Sequence, residues 1–309
     1  MPLIENPDSA LPGKLQGLHL FHYDGAPCAQ RVRFALGEKG LVRGREVSYL
    51  SAQPADVDSE PGEWISRVVS LPRLAHMTPG YAAIHPNMVV PALVHDGRLY
   101  LESLDIIEYL DETFGGTRLV PLDRDVRAAT LELVAKAERL HRSIRYVSFR
   151  WGLGRLAMLN SKQRAALADL AQAGEDGERL VNFYEGFSTG GIPEAVYLDH
   201  LRMLFTGFIE LDKRLGDGRE FLMGSDISIA DPFWSMKVLR MTECGYPIET
   251  YHPALSAWYQ RVSLRPSFRN EVMGNNRLSH HLFRAKAGIE QLLGKGLGRA
   301  VQTVSAQTT

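Results

Sequence analysis

The stretch HYDGAPCAQRVRFALGEKG, residues 22–40, limits what this 309-residue chain can fold into more than any other. A short apolar strand over residues 17–21 runs into a Gly/Pro turn, and a helix follows that closes at Gly40. Cys28 sits where the helix begins. A thiol there meets unsatisfied backbone N–H groups and the positive end of the helix dipole, which favour a thiolate. The same N–H groups could instead hold the thiolate of a bound thiol substrate. Both readings point to sulfur chemistry.

The length predicts two domains, and 45% hydrophobic with 23% charged residues fits globular cores. A net charge of −1 gives no basis for a nucleic-acid partner, and no basic run reads as a membrane-surface patch. No apolar run approaches the roughly 18 residues that span a bilayer. The opening MPLIENPDSALPGK has neither the basic nor the apolar region of a secretory signal, and two cysteines make no disulfide scaffold, so a reduced cytoplasmic setting is expected. Cys244 follows an apolar helical stretch with no basic neighbour and reads as an inert, packed thiol. The adjacent His280 and His281 project differently and have no third ligand nearby, so no metal is expected.

Along the chain, residues 1–16 read as a flexible leader. Strands are predicted over 18–23, 46–50, 88–95 and 99–102, the last two joined by the hairpin signal Asp96-Gly97. Helices are predicted over 29–39 and 103–113, where Leu104, Ile107 and Leu110 fall at helical spacing. The connection from 52 to 87 is long and proline-rich, with a helical patch over 63–69. This order, β-α-β, a long connection, then β-β-α, is that of a thioredoxin-like domain over 17–114. A linker over 115–122 leads to an all-α domain over 123–273. Its helices are expected over 123–151, 161–173, 192–215, 228–242 and 253–261. Ser228 and Asp231 form a capping box, the serine accepting from the Asp231 N–H while Asp231 reaches back. A C-terminal extension over 274–309 holds one amphipathic helix, 282–293, and a disordered polar end.

The chain resembles the glutathione S-transferase superfamily. The resemblance rests on five segments in order: CAQRVRFALGEKG; Val89-Val90-Pro91-Ala92-Leu93; Glu102-Ser103; the capping box in ISIADPFW; and HPALSAWYQRVSLRPSF. It is nearest to the bacterial zeta-like, reductive dehalogenase and β-etherase branches. It implies an α/β thioredoxin-like N-terminal domain followed by an all-α C-terminal domain, a dimer of like or unlike chains, and glutathione as co-substrate. In this superfamily the proline of the VP motif is cis. It would leave the Val90 backbone to pair with a bound tripeptide beside Pro91. Ser103, at a helix start, would grip the γ-glutamyl carboxylate, and Glu102 would accept from its ammonium group.

Three arrangements compete for the thiol chemistry. Cys28 matches the nucleophilic cysteine of the dehalogenase branch and could attack a glutathionyl intermediate. The backbone N–H groups near Cys28 and Ala29 could hold the glutathione thiolate unaided. Tyr23 could donate to it. The serine of the zeta-like pattern is replaced by Ala26, and the serine or asparagine that etherases carry near positions 28 and 29 is absent. Arg31 and Arg33 read as solvated or interdomain ion-pair residues. His141, Arg145 and Phe149, at i, i+4 and i+8 of one expected helix, form a face of cations and an aromatic suited to a small aromatic electrophile, which the resemblance places between the two domains. The resulting reading is attack on an electrophilic aromatic or benzylic carbon, with β-aryl ether cleavage of lignin-derived aromatics first. Reductive dehalogenation of chlorinated aromatics and a non-catalytic glutathione-binding subunit are the alternatives.

Overall fold

The computed structural model describes residues 3–5, 7–154, 158–161, 163 and 175–308. The chain forms two compact units. The first comprises, among the described residues, those up to Leu119, residues 175–177 at the start of a later helix, and Pro266–Asn275, which the sequence would have placed outside it. Its sheet has the order β1-β6-β5-β2-β4-β3, from β1 (Leu3–Ile4), β2 (Leu18–His22), β3 (Val42–Ser48), β4 (Glu63–Val68), β5 (Ala92–His95) and β6 (Arg98–Leu101). Helix α1 (Pro27–Glu38) follows β2, a single turn α2 (Pro79–Ala82) lies in the long connection, and α3 (Ser103–Thr113) follows β6.

β2 is buried along its whole length because it is paired on both edges, parallel to β4 and antiparallel to β5. The parallel neighbour is a correction. Residues 63–69, expected as a helical patch, form β4 and take the place next to β2, displacing β3 to the sheet edge. The reason is Arg67. Its guanidinium donates to the carbonyls of Ser48, Tyr49, Ser51 and Asp56, and to His19 Nδ1 at 3.2 Å. Those acceptors lie in the crossover and the neighbouring strand, so a charged residue sits inside a buried strand with its donors satisfied. On the outer edge, β3 carries Arg43, Arg45 and Glu46 and an irregularity between Arg43 and Glu46, features that blunt an open edge.

The leader is also not free. Leu3–Ile4 pair with β6, Leu11 and Leu15 are buried, and the Gln16 N–H donates to the Val57 carbonyl. These apolar residues bind the leader to the core that they help fill.

The second unit is helical: α4 (Arg124–Arg139), α5 (His141–Val147), α6 (Glu175–Thr189), α7 (Glu194–Leu215), α8 (Ala230–Glu243), α9 (Ile248–Tyr251), α10 (Pro253–Leu264), α11 (Arg277–Leu292) and α12 (Leu297–Thr308). The single helix expected over 123–151 is divided into α4, α5 and a π-helical turn over Ser148–Leu153. The helix expected over 161–173 lies mostly outside the described residues. The polar end expected to be disordered is α12, held by Leu297, Val301 and Val304, all buried. The capping box is present with one change of direction: the Ser228 N–H (2.8 Å) and hydroxyl (3.0 Å) both donate to Asp231 Oδ2, and the Asp231 N–H goes to the Ser228 carbonyl. Asp231 Oδ1 accepts from the Leu222 N–H at 3.1 Å and from Trp258 Nε1 at 2.8 Å. Four donors thus converge on one fully buried carboxylate that joins α8, α10 and the preceding loop.

Two stability predictions follow from these groups. Asp231→Asn replaces one acceptor oxygen by a donor facing donors; at about 1–3 kcal/mol for each stranded donor, urea unfolding should show a loss of about 3 kcal/mol, and a loss below about 1 kcal/mol would count against the carboxylate's role. The second concerns pH. His19 donates from Nε2 to the Gln16 and Val57 carbonyls and accepts from Arg67 at Nδ1, the pattern of a neutral ring. Burial pushes its pKa down to about 4, and burial beside Arg33 pushes His22 well below its ordinary value. Below pH 6.5 both rings bind fewer protons folded than unfolded, so their stabilisation is complete above about 6.5 and is lost as pH falls toward about 4. The urea midpoint should fall across that window and fall less in His19→Gln; equal slopes would exclude His19 from the response.

Candidate functional site

The turn between β2 and α1 is closed by the Ala26 N–H donating to the Tyr23 carbonyl at 3.1 Å. Ala26 is the extended residue before the helix, Pro27 takes the first helical position and Cys28 the second. The first intrahelical bond runs from the Gln30 N–H to the Ala26 carbonyl, so the amide of Ala29 lies outside the helix ladder. Cys28 is half-buried and is not in a disulfide.

One turn further on, Arg31 is 4% exposed, so of the two expected roles, solvated or interdomain ion pair, the solvated one does not hold. Its Nη2 donates to Cys28 Sγ at 3.4 Å and its Nε to Ser103 Oγ at 2.8 Å. The guanidinium therefore links the thiol at the start of α1 to the hydroxyl at the start of α3, across 72 residues of sequence. Arg33 is buried as well. It donates to His22 Nδ1 and to the carbonyls of Tyr23, Asp24 and Glu271. Nearby, burial raises the Glu271 carboxyl to about 7 against the pull of Arg33 and Arg43.

The Val90–Pro91 peptide is cis. Tyr81, buried in α2, donates its hydroxyl to the Val89 carbonyl at 2.8 Å and so fixes the approach to this bond. The backbone N–H and C=O of Val90 make no hydrogen bond among the described residues. Val90, Ala26 and Ala29 belong to one buried cluster, with Tyr23 packed against it. Glu102 precedes α3 at φ 60°, a left-handed conformation that costs a non-glycine residue about 1 kcal/mol or more. Seven predicted residues thus group in the first unit: Tyr23, Cys28 and Ala29 at the start of α1, Val90 and Pro91 at the cis bond, and Glu102 and Ser103 at the start of α3. Arg31 and Tyr81 join them. Arg31 was legible as a charge but not as a bridge, and Tyr81 lies in a proline-rich connection with no periodic pattern to expose it.

The predicted acceptor face fares differently. It assumed a continuous α-helix through residue 151, and the π turn breaks that spacing at Phe149. Phe149 packs edge-on against Phe183 (5.0 Å), Tyr184 (5.7 Å) and Phe187 (5.3 Å) of α6, and the Arg145 guanidinium lies 5.9 Å from the Phe183 ring. Arg145 and Phe149 therefore meet through Phe183, while His141 opens α5. The α6 aromatics went unread because their partners lie some 35 residues away. Cys244 is buried, its pKa pushed up to about 12 by burial.

Two family models match the chain: "Glutathione S-transferase, N-terminal domain" over residues 20–118 and "Glutathione S-transferase, C-terminal domain" over residues 163–261. Glutathione S-transferase 1 of Dianthus caryophyllus is 34% identical over 113 residues, 37% of this chain and 42% of that protein. The match thus spans less than half the length of that relative. The 2,5-dichlorohydroquinone reductive dechlorinase of Sphingobium indicum is 25% identical over 288 residues, 82% of each chain. Among solved structures, the β-etherase LigF of Sphingobium sp. strain SYK-6 superposes with a TM-score of 0.67 at 20% identity, covering 83% of this chain and 98% of that one. With both halves matched in order, and with the sheet and helices just described, the chain belongs to the glutathione S-transferase family.

Proposed function

We propose that this protein is a glutathione-dependent transferase that attacks an electrophilic aromatic or benzylic carbon, and that its substrate is a lignin-type β-aryl ether. The observation that carries the reading is the grouping of Val90, Ser103, Arg31 and Cys28. An open backbone N–H and C=O at Val90 suit an added strand of peptide, and a helix start at Ser103 suits a carboxylate. Glutathione enters as a co-substrate: Val90 would pair with its backbone beside Pro91, Ser103 would bind the γ-glutamyl carboxylate, and Glu102 would accept from the ammonium group. Its sulfur would lie at the N-terminus of α1, near the amides of Cys28 and Ala29, with Tyr23 alongside. In ether cleavage that thiolate forms a C–S bond at the benzylic-side carbon as the C–O bond breaks, and the phenolate leaves. Arg145 and Phe149, joined at Phe183, would serve an anionic aromatic, with His141 one turn before Arg145 in α5. The overall likeness to a β-etherase supports this choice. So do the EKGL helix end and the VPAL and HDG segments.

A second reading rests on Cys28 itself. Arg31 Nη2, 3.4 Å from its sulfur, would favour a Cys28 thiolate, which supports reductive dehalogenation as the alternative. Glutathione displaces chloride to form an aryl thioether. The Cys28 thiolate attacks the thioether sulfur, the aryl–S bond breaks, and the ring takes a proton. The mixed disulfide left on Cys28 is then reduced by a second glutathione, yielding glutathione disulfide.

Cys28→Ser separates the two. On the ether reading it should leave thioether formation from a β-aryl ether within about twofold of wild type; on the dehalogenase reading a chlorohydroquinone reaction should stop at the glutathionyl conjugate, seen by mass spectrometry. Retention on glutathione-agarose without turnover of either substrate class would indicate a binding subunit instead. Ser103→Ala removes one charge-assisted contact of about 1.5–3 kcal/mol. It should raise the KM for glutathione about 10- to 100-fold with a smaller effect on kcat, and an unchanged KM would remove Ser103 from the glutathione site.

A further inference from the structure

The proline-rich connection between β4 and β5 holds more buried structure than a crossover needs. Its helical turn, α2, is fastened on several sides. Thr78 caps it, the hydroxyl oxygen accepting from the Tyr81 N–H at 3.4 Å. Tyr49, whose carbonyl accepts from Arg67, brings its own hydroxyl to 3.2 Å from Thr78 Oγ1 and sets its ring edge-on to Tyr81 at 6.1 Å. Phe21 of β2 stands 6.3 Å from the same ring. The Tyr81 side chain is fully buried, and its hydroxyl donates to the Val89 carbonyl at 2.8 Å. Phenylalanine would fill the same volume; what tyrosine adds is this one hydrogen bond.

The group that the bond controls belongs to Val90 as much as to Val89. A trans peptide group is planar, and its C=O and N–H point in opposite directions. The Val89–Val90 peptide is trans, so the plane held at the Val89 carbonyl is the plane that carries the Val90 N–H. Val89 lies outside the strands, next to Met88 at φ 50°, and among the described residues no other hydrogen bond holds this plane. The Val90 N–H is the donor that an added strand of peptide would meet. A hydroxyl behind the plane aims that N–H away from the core. Fixing a donor in its bound orientation before the ligand arrives lowers the cost of binding.

We propose that Tyr81 is a positioning residue of the glutathione site: its hydroxyl orients the Val89–Val90 peptide group so that the Val90 N–H stands ready for the glutathione backbone. The inference rests on the glutathione reading, and it gives the proline-rich connection a task, that of backing the edge where the peptide pairs.

The test is Tyr81→Phe, which removes one oxygen and keeps the ring and the core volume. With valine labelled at its carbonyl carbon and amide nitrogen, only Val69 and Val90 follow another valine, so the carbonyl-coupled amide spectrum holds two signals, and Val89→Ile identifies the one from Val90. In the free protein, Tyr81→Phe should move the Val89 carbonyl resonance to higher field. Tyr49→Phe, which removes the neighbouring hydroxyl bonded to Thr78, should leave it in place. The KM for glutathione should rise about 3- to 10-fold in Tyr81→Phe, the loss of one hydrogen bond, with kcat little changed and with Tyr49→Phe at the wild-type value. An unmoved Val89 carbonyl in Tyr81→Phe would overturn the proposal alone, as would a moved carbonyl with an unchanged KM. An equal rise in KM in Tyr49→Phe would overturn it too, since α2 would then act through packing. If glutathione leaves the wild-type Val90 signal unmoved, the glutathione reading falls and takes the proposal with it.

Discussion

Three buried guanidinium groups organise the first unit. Arg31, Arg33 and Arg67 are each at most 4% exposed. A guanidinium keeps its charge and carries five N–H donors, so burial demands acceptors in matching positions. Arg67 takes them from the crossover after β3, Arg33 from the β2–α1 turn and from Glu271, and Arg31 from Cys28 and Ser103. Each one fixes a different part of the fold: the place of β4, the docking of Pro266–Asn275 on α1, and the distance from α1 to α3. Two of the acceptors are ring nitrogens of His19 and His22, which can accept only while those rings are neutral. Burial thus lowers the histidine pKa values and at the same time creates acceptors that the arginines require. Removing either partner leaves the other unsatisfied, which is why this charge lies inside a sheet and not at its edge.

The parts of this structure legible in the sequence are those decided within a few residues. The strand, turn and helix around Cys28, the β5–β6 hairpin and α3 each follow from turn residues and local apolar spacing. β4 did not, because Ser66 and Arg67 look like helix-surface residues until their partners are in place, those of Arg67 lying 11 to 48 residues away. The π turn at Ser148 and the aromatic group on α6 were hidden for the same reason, since Phe149 is placed by Phe183, Tyr184 and Phe187 and not by its own helix. The apolar residues of the leader and of α12 were too few to show a period. They are ordered by the surfaces that they cover. In the candidate site the residue types were readable and the link among them was not: nothing local distinguishes Arg31, one turn beyond Cys28, from Arg33.

Ala26 gains meaning from this arrangement. It is the position where a serine would be expected to serve a glutathione thiol, and it is packed into the same apolar cluster as Ala29 and Val90. A serine there would stand at the N-cap of α1, where its oxygen could accept from the Ala29 amide; alanine leaves that amide without a side-chain cap. On the proposed reading, thiol stabilisation falls to what remains at the start of α1: amides outside the helix ladder, the helix dipole, and a guanidinium already committed to Cys28 and Ser103. That last commitment couples the two halves of the site. The Ser103 oxygen accepts from Arg31 Nε, so its O–H could donate to a ligand carboxylate while Nη2 still reaches the Cys28 sulfur. On the proposed reading, a γ-glutamyl carboxylate at one end of the site and a thiolate at the other would both draw on one guanidinium, with Arg31 as the connecting group.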